Sequence, residues 1–87
     1  SIPRITVEGR EIRKGKRCTR FDEIEEILIT PASRISPNYA TVYTLVTNEG
    51  KSFDINSRYS DSDVLLDWIC HEATNARCLV NTTDTHQ

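Results

Sequence analysis

One stretch of this 87-residue chain constrains its fold more than any other. It is the helical periodicity of Ser60 to Ala76, which follows a series of short strand-like segments. Val64, Leu65, Trp68, Ile69 and Ala73 recur at helical spacing, while Asp61, Asp63, Asp67 and Glu72 fall elsewhere on the circumference. A lone amphipathic helix of this length is not stable in water, so its stripe must cover another element. The only available cover is a sheet made from the preceding strands. On this reading the domain depends on the Trp68 indole inserting between helix and sheet. Ser60 is expected to cap the helix, with Asp63 three positions on as a short capping box.

The strand-like segments begin with Ile5-Thr6-Val7, a turn at Glu8-Gly9, and a return over Arg10 to Arg13. Lys14-Gly15-Lys16 reads as a second turn and Cys18 to Phe21 as another short strand. Phe21, Ile24, Ile27 and Leu28 have helical spacing, yet Ile27-Leu28-Ile29-Thr30 is β-prone and stops at Pro31. The favoured reading is a single helical turn at Phe21–Ile24 feeding a strand at Glu26–Thr30; the alternative is a short helix through Leu28. Pro31 to Asn38 has loop chemistry and is read as a mobile insertion. Tyr39 to Thr47 alternates with period two and is the strongest strand, closed by Asn48-Glu49-Gly50 and returning over Lys51 to Asn56. Residues 1–80 are read as a single domain and 81–87 as a frayed polar tail.

Composition narrows the function classes. An apolar fraction of 37% and a charged fraction of 28% are those of an ordinary globular chain. No apolar run approaches the ~20 residues that span a bilayer. A chain that begins at Ser1 and contains no Met reads as a piece of a longer product. Cys18, Cys70 and Cys78 are irregularly spaced and odd in number, which fits buried or half-buried free thiols in a reducing compartment better than a disulfide framework.

No catalytic constellation is legible. Glu23, Glu25 and Glu26 form a solvated face rather than an acid–base pair, and Cys70 and His71 diverge by roughly 100° around a helix. No glycine-rich phosphate cradle and no zinc-ligand spacing is present, so neither cofactor nor metal is expected. Asn81-Thr82-Thr83 matches a glycosylation acceptor, a short and common pattern that nothing else here supports. The feature above background is basic. Residues 1–20 hold Arg4, Arg10, Arg13, Lys14, Lys16, Arg17 and Arg20 against Glu8 and Glu11, a net of +5 that leaves −7 for the remainder. Arg10, Arg13, Lys14, Lys16, Arg17 and Arg20 are the candidate contact to an anionic surface. The competing reading is that Lys and Arg merely keep an edge hairpin soluble. Nucleic acid is not expected, because no aromatic residue is interleaved with the cations.

Four stretches resemble a bacterial pleckstrin-homology-like domain of the membrane-flanking type. They are Pro3 to Ile12, Arg20 to Ile27, Tyr43 to Ile55 and Asp63 to Ile69. In turn these are similar to that family's opening strand-turn-strand, its aromatic-acid step into a strand, its last hairpin and its closing helix. The chain departs from the pattern in offering five or six strands rather than seven, and in echoing the family's phosphoinositide motif only loosely. The resemblance implies an α+β fold: a bent antiparallel sheet or partial barrel capped by one C-terminal helix. It also implies a non-enzymatic module at the cytoplasmic face of a membrane, contacting anionic headgroups. The alternative is a protein-interaction or self-assembly module using an exposed β-edge.

Overall fold

A computed structural model describes residues 4–33, 40–58 and 61–81. Within these residues the chain is α+β, with two sheets and one helix. The strands are β1 (Ile5–Glu8), β2 (Glu11–Lys14), β3 (Arg17–Arg20), β4 (Ile24–Thr30), β5 (Val42–Thr47), β6 (Ser52–Asn56) and β7 (Arg77–Val80). The helix, α1, spans Ser62–Glu72 and lies between β6 and β7 in the chain. One sheet is an antiparallel meander in the order β1-β2-β3. The other has the order β6-β5-β4-β7, with β7 parallel to β4. The two sheets do not close into a barrel, and α1 is followed by a strand rather than ending the fold.

The meander follows from its turns. Gly9 and Gly15 adopt φ of 61° and 62°, where an L side chain is strained, so tight reversals fall there. At the β5–β6 hairpin the buried Thr47 hydroxyl accepts from the Lys51 amide at 3.1 Å and the Glu49 amide at 3.3 Å. Gly50 supplies the left-handed φ of 79° that this loop needs. This is the hairpin that the sequence Asn48-Glu49-Gly50 predicts.

The spacing of Phe21, Ile24 and Ile27 is explained by two devices. Phe21–Glu23 forms a single 3₁₀ turn, with the Glu23 carboxylate accepting from the Arg20 amide at 3.1 Å. A bulge then interrupts β4 between Ile24 and Glu26. Ile24 and Ile27 would face opposite sides of a regular strand, but one extra residue returns both to the core. Both are fully buried. The favoured reading of a turn feeding a strand is the observed one, with the strand starting at Ile24.

The core lies between the four-stranded sheet and α1. Ile27, Leu45 and Phe53 are paired across β4, β5 and β6; Ile29, Tyr43 and Ile55 form the next row. Ile12 from the meander, Phe21 and Ile24, Leu66 and Ile69 from α1, and Ala73 at its C-cap complete the cluster.

The helix departs from expectation in three ways. It is shorter than Ser60–Ala76, and its N-cap position is Asp61, with a left-handed φ of 58° and no side-chain cap bond. The expected cap Ser60 lies outside the described residues, as do residues 34–38 of the expected loop, Tyr39 of the expected strand and 82–87 of the expected tail. Most importantly, Trp68 is not the plug. It is 46% exposed, and Val64 is 61% exposed. The reason is angular. At about 100° per residue, Leu65, Ile69, Ala73 and Leu66 subtend an arc of roughly 100°, and Trp68 lies roughly 115° from its centre. The apolar positions 64–66, 68 and 69 wrap more of the circumference than one sheet can cover, so one set must face outward.

Ile69→Ala should therefore cost about 2–5 kcal/mol of stability, as a buried truncation that leaves a cavity. Trp68→Ala should cost only about 1 kcal/mol, as expected for a half-exposed side chain. Urea unfolding followed by circular dichroism measures both. A larger loss from Trp68 than from Ile69 would reverse the assignment of the helix faces.

Candidate functional site: a basic groove between two strand edges

The six cations clustered in the sequence are divided by the length of the hairpin that carries them. Four-residue strands rise about 3.3 Å per residue, so the ends of the meander stand more than 10 Å apart. That exceeds the ~8 Å Debye length at physiological salt, and the two ends act as separate charge groups. Arg10, in the β1–β2 turn, and Arg20, ending β3, occupy one end. Lys14, Lys16 and Arg17 surround the β2–β3 turn at the other. Arg13 is exposed in mid-strand, opposite Cys18.

At the first end Arg20 is committed locally. Its guanidinium pairs with both Asp22 carboxylate oxygens, at 3.1 and 2.9 Å. That hydrogen-bonded pairing holds the Asp22 carboxyl below its usual range and raises the Arg20 guanidinium further. The Arg20 charge is thus already answered by a neighbour.

At the second end the structure adds what the sequence did not reveal. β3 and β6 are both outer strands of their sheets. Because the Lys51 carbonyl accepts from the Thr47 amide at 2.8 Å, the main-chain groups of Ser52 and Asp54 point away from β5. The Lys14 ammonium donates to the Asp54 carbonyl, and the Arg17 guanidinium to the Ser52 carbonyl. Two basic side chains thus fasten the meander to the free edge of the second sheet, where a barrel would have continued its backbone ladder.

Beside these bridges lies an open groove of about 580 Å³, walled by Arg17, Cys18 and Thr19 on one side and Lys51, Ser52 and Phe53 on the other. It continues past Lys16 toward Lys14 and Asp54. Lys16 projects from the turn, and Lys51 stands across from it on the β5–β6 hairpin. Lys51 is 3.6 Å from Glu49, but both side chains are largely exposed and such a pair holds weakly. The Asp54 carboxylate is engaged, accepting from the Thr44 hydroxyl at 2.8 Å. The rim of the groove therefore carries four cations, Lys14, Lys16, Arg17 and Lys51. Lys51 escaped the sequence reading because it lies 34 positions after Arg17 in the chain. The clue was topological: tips of separate hairpins can meet at one end of a fold.

The cysteines differ from expectation, since all three are exposed rather than buried or half-buried. Cys18 lies on the outer face of the meander. Local desolvation, then a hydrogen bond with Glu11, push its thiol above the usual value. Cys70, on α1, and Cys78, on β7, are neighbours, and after desolvation Cys78 is the next cause that raises the Cys70 thiol. Among the described residues no group of three or more His, Cys, Asp or Glu side chains is placed to hold a metal ion. No helix among them is long and apolar enough to cross a membrane. No family model, curated protein or solved structure matches the chain.

The Arg20–Asp22 pair makes a pH prediction. A carboxyl depressed in the folded state stabilises the fold above its unfolded value and loses that contribution as pH falls through its folded value. The effect is confined to pH below about 4. Arg20→Gln should move the Asp22 titration upward toward the ordinary carboxylate value, read by carboxyl-carbon NMR. An unchanged midpoint would show that the ion pair is not formed in solution.

Proposed function

We propose that this chain is a non-catalytic binding module of pleckstrin-homology-like type, docking on anionic headgroups at the cytoplasmic face of a membrane. The observation that carries the reading is the meeting of Lys51 with Lys14, Lys16 and Arg17 around one groove, from two hairpins remote in sequence. Each cation near an anionic surface contributes about 1 kcal/mol, so such a rim supports reversible recruitment. Arg13 and Arg10 extend the basic surface along the meander. Arg20 contributes least, because Asp22 neutralises it. The strand-rich α+β architecture with one packed helix supports the pleckstrin-homology-like assignment, while the open sheets and the strand after α1 are departures from that pattern.

A second reading rests on the same two strand edges. An extended segment of a partner, or of a second copy, would add as a strand to the outward main chain of β6 beside β3 by displacing the Lys14 and Arg17 bridges. Light scattering over a concentration series tests the self-association form: a monomer at every concentration counts against it.

Vesicle co-sedimentation tests the lipid reading. Phosphatidylserine–phosphatidylcholine vesicles should retain the chain at low salt and release it at high salt, and pure phosphatidylcholine should not bind it. Lys16→Gln with Lys51→Gln should weaken binding roughly 30-fold, the equivalent of about 2 kcal/mol, without changing the melting temperature. Lys14→Gln with Arg17→Gln should lower both binding and melting temperature, because these side chains also fasten the sheets. Equal retention on neutral and anionic vesicles would remove the proposal.

A further inference from the structure

The thiols of Cys70 and Cys78 lie in a place that the groove does not use. Cys78 is paired with Ile27 across the parallel β4–β7 ladder, so its side chain emerges on the same side of the sheet as the core and α1. Cys70 directly follows the fully buried Ile69, at the margin of the helix arc that packs on that sheet. A short reversal joins the two elements: the Ala73 amide donates to the Ile69 carbonyl at 2.7 Å and the Ala76 amide to the Ala73 carbonyl at 3.0 Å. This reversal turns the chain back along the helix and makes the two thiols neighbours, both exposed to solvent.

We infer that Cys70 and Cys78 form a dithiol–disulfide pair that covalently ties strand β7 to helix α1. The co-reactant is a small-molecule disulfide of the glutathione type. A thiolate of the pair attacks one sulfur of that disulfide, forming a mixed disulfide and releasing one small thiol. The second protein thiol then loses its proton to solvent and attacks the protein-bound sulfur, releasing the other small thiol. Two protein thiols are oxidised to one disulfide, and one small disulfide is reduced to two thiols. The second step is intramolecular and favoured by the nearness of the two elements.

The tie acts on an edge strand that is weakly anchored. Every residue of β7 is exposed. β7 is held by the ladder to β4, by the Arg77–Glu26 ion pair at 2.8 Å and by the Asn81 amide donating to the Ile29 carbonyl at 2.8 Å. Closure is expected to be slow near neutral pH. Desolvation first, then the neighbouring Cys78 and Asp67, push the Cys70 thiol upward and keep its thiolate scarce. Asp67, one turn earlier on the helix, is the charged side chain that acts on that titration, whereas Glu26 and Arg77, next to Ile27 and Cys78 in the ladder, project from the opposite face of the sheet. Cys18 stands apart, on the meander.

The test uses the whole chain, equilibrated with reduced and oxidised glutathione at increasing ratio and quenched with an alkylating agent. The expected product is a monomer with one alkylated cysteine, Cys18, and a Cys70–Cys78 cross-linked peptide on mass mapping. Its closure rate should rise about tenfold per pH unit below the thiol value. The melting temperature of the oxidised form should exceed that of the reduced form by roughly 10 °C, as for a short closed loop. Cys18→Ser should close the same bridge, while Cys70→Ser and Cys78→Ser should each abolish both the bridge and the thermal shift. Persistent alkylation of all three cysteines, stable glutathione adducts at Cys70 or Cys78, or a disulfide-linked dimer would each overturn the inference.

Discussion

The pairing of β4 with β5 and β6 places Ile27, Leu45 and Phe53 in one row, and the rest of the structure depends on that row. It is the surface that α1 covers, and it fixes which side of every strand is inside. A slip of one residue would turn the whole row to solvent, so the register is strongly specified. The bulge after Ile24 belongs to the same constraint. Without it, Ile24 or Ile27 would have to leave the core, and the 3₁₀ turn that brings Phe21 in would enter β4 on the wrong face. The Asn48 amide, donating to the Glu23 carbonyl at 2.9 Å, then ties this entry to the β5–β6 hairpin.

The meander is attached to this core by fewer contacts of a different kind. Ile12 enters the hydrophobic cluster, and Ile5 and Val7 pack against it. The Phe21 amide donates to the Arg10 carbonyl at 2.9 Å at one end, and Lys14 and Arg17 reach the β6 main chain at the other. Side chains thus do at the β3–β6 boundary what backbone ladders do elsewhere. A ladder would have sealed the boundary at the 4.7–4.9 Å strand spacing. Long basic side chains hold the edges apart instead, and the groove is the space they leave. The same atoms therefore join the sheets and charge the groove.

Much of this was legible in the sequence because local chemistry dictated it. The glycine turns, the Asn48-Glu49-Gly50 hairpin and the strand of alternating Tyr, Thr and Val each carry their own signal, and together they imply an α+β domain with a single helix packed on strands. What was not legible depended on long-range geometry. Apolar residues crowd the helix so densely that periodicity pointed to Trp68 as the inward side chain, whereas the sheet beneath takes Leu66 instead. β7 escaped as a strand because Cys78-Leu79-Val80 is short, and its pairing is to β4, roughly 50 positions earlier in the chain. The exposure of Cys70 and Cys78 has the same origin, since whether a helix flank is covered depends on where an edge strand comes to lie.

The fate of the basic cluster shows why charge counted along a chain is a poor measure of charge presented to a partner. Six cations within eleven residues suggest one dense patch. Folding into a four-residue meander separates their ends, gives Arg20 to Asp22, and commits Lys14 and Arg17 to carbonyl oxygens. A guanidinium or ammonium that donates to a neutral carbonyl still keeps its full positive charge, whereas one paired with a carboxylate does not. Arg17 therefore remains part of the field around the groove although its geometry is fixed, and Lys14 lines the same wall. Lys16, on its turn, keeps both charge and freedom of movement, and Lys51 gives up little of either to Glu49 in a weak exposed pair at 3.6 Å. The result is two fixed charges that hold the walls and two mobile charges at the mouth. Such a set would pull an anionic group toward the groove through the mobile pair, while the fixed pair confines it between the β3 and β6 edges.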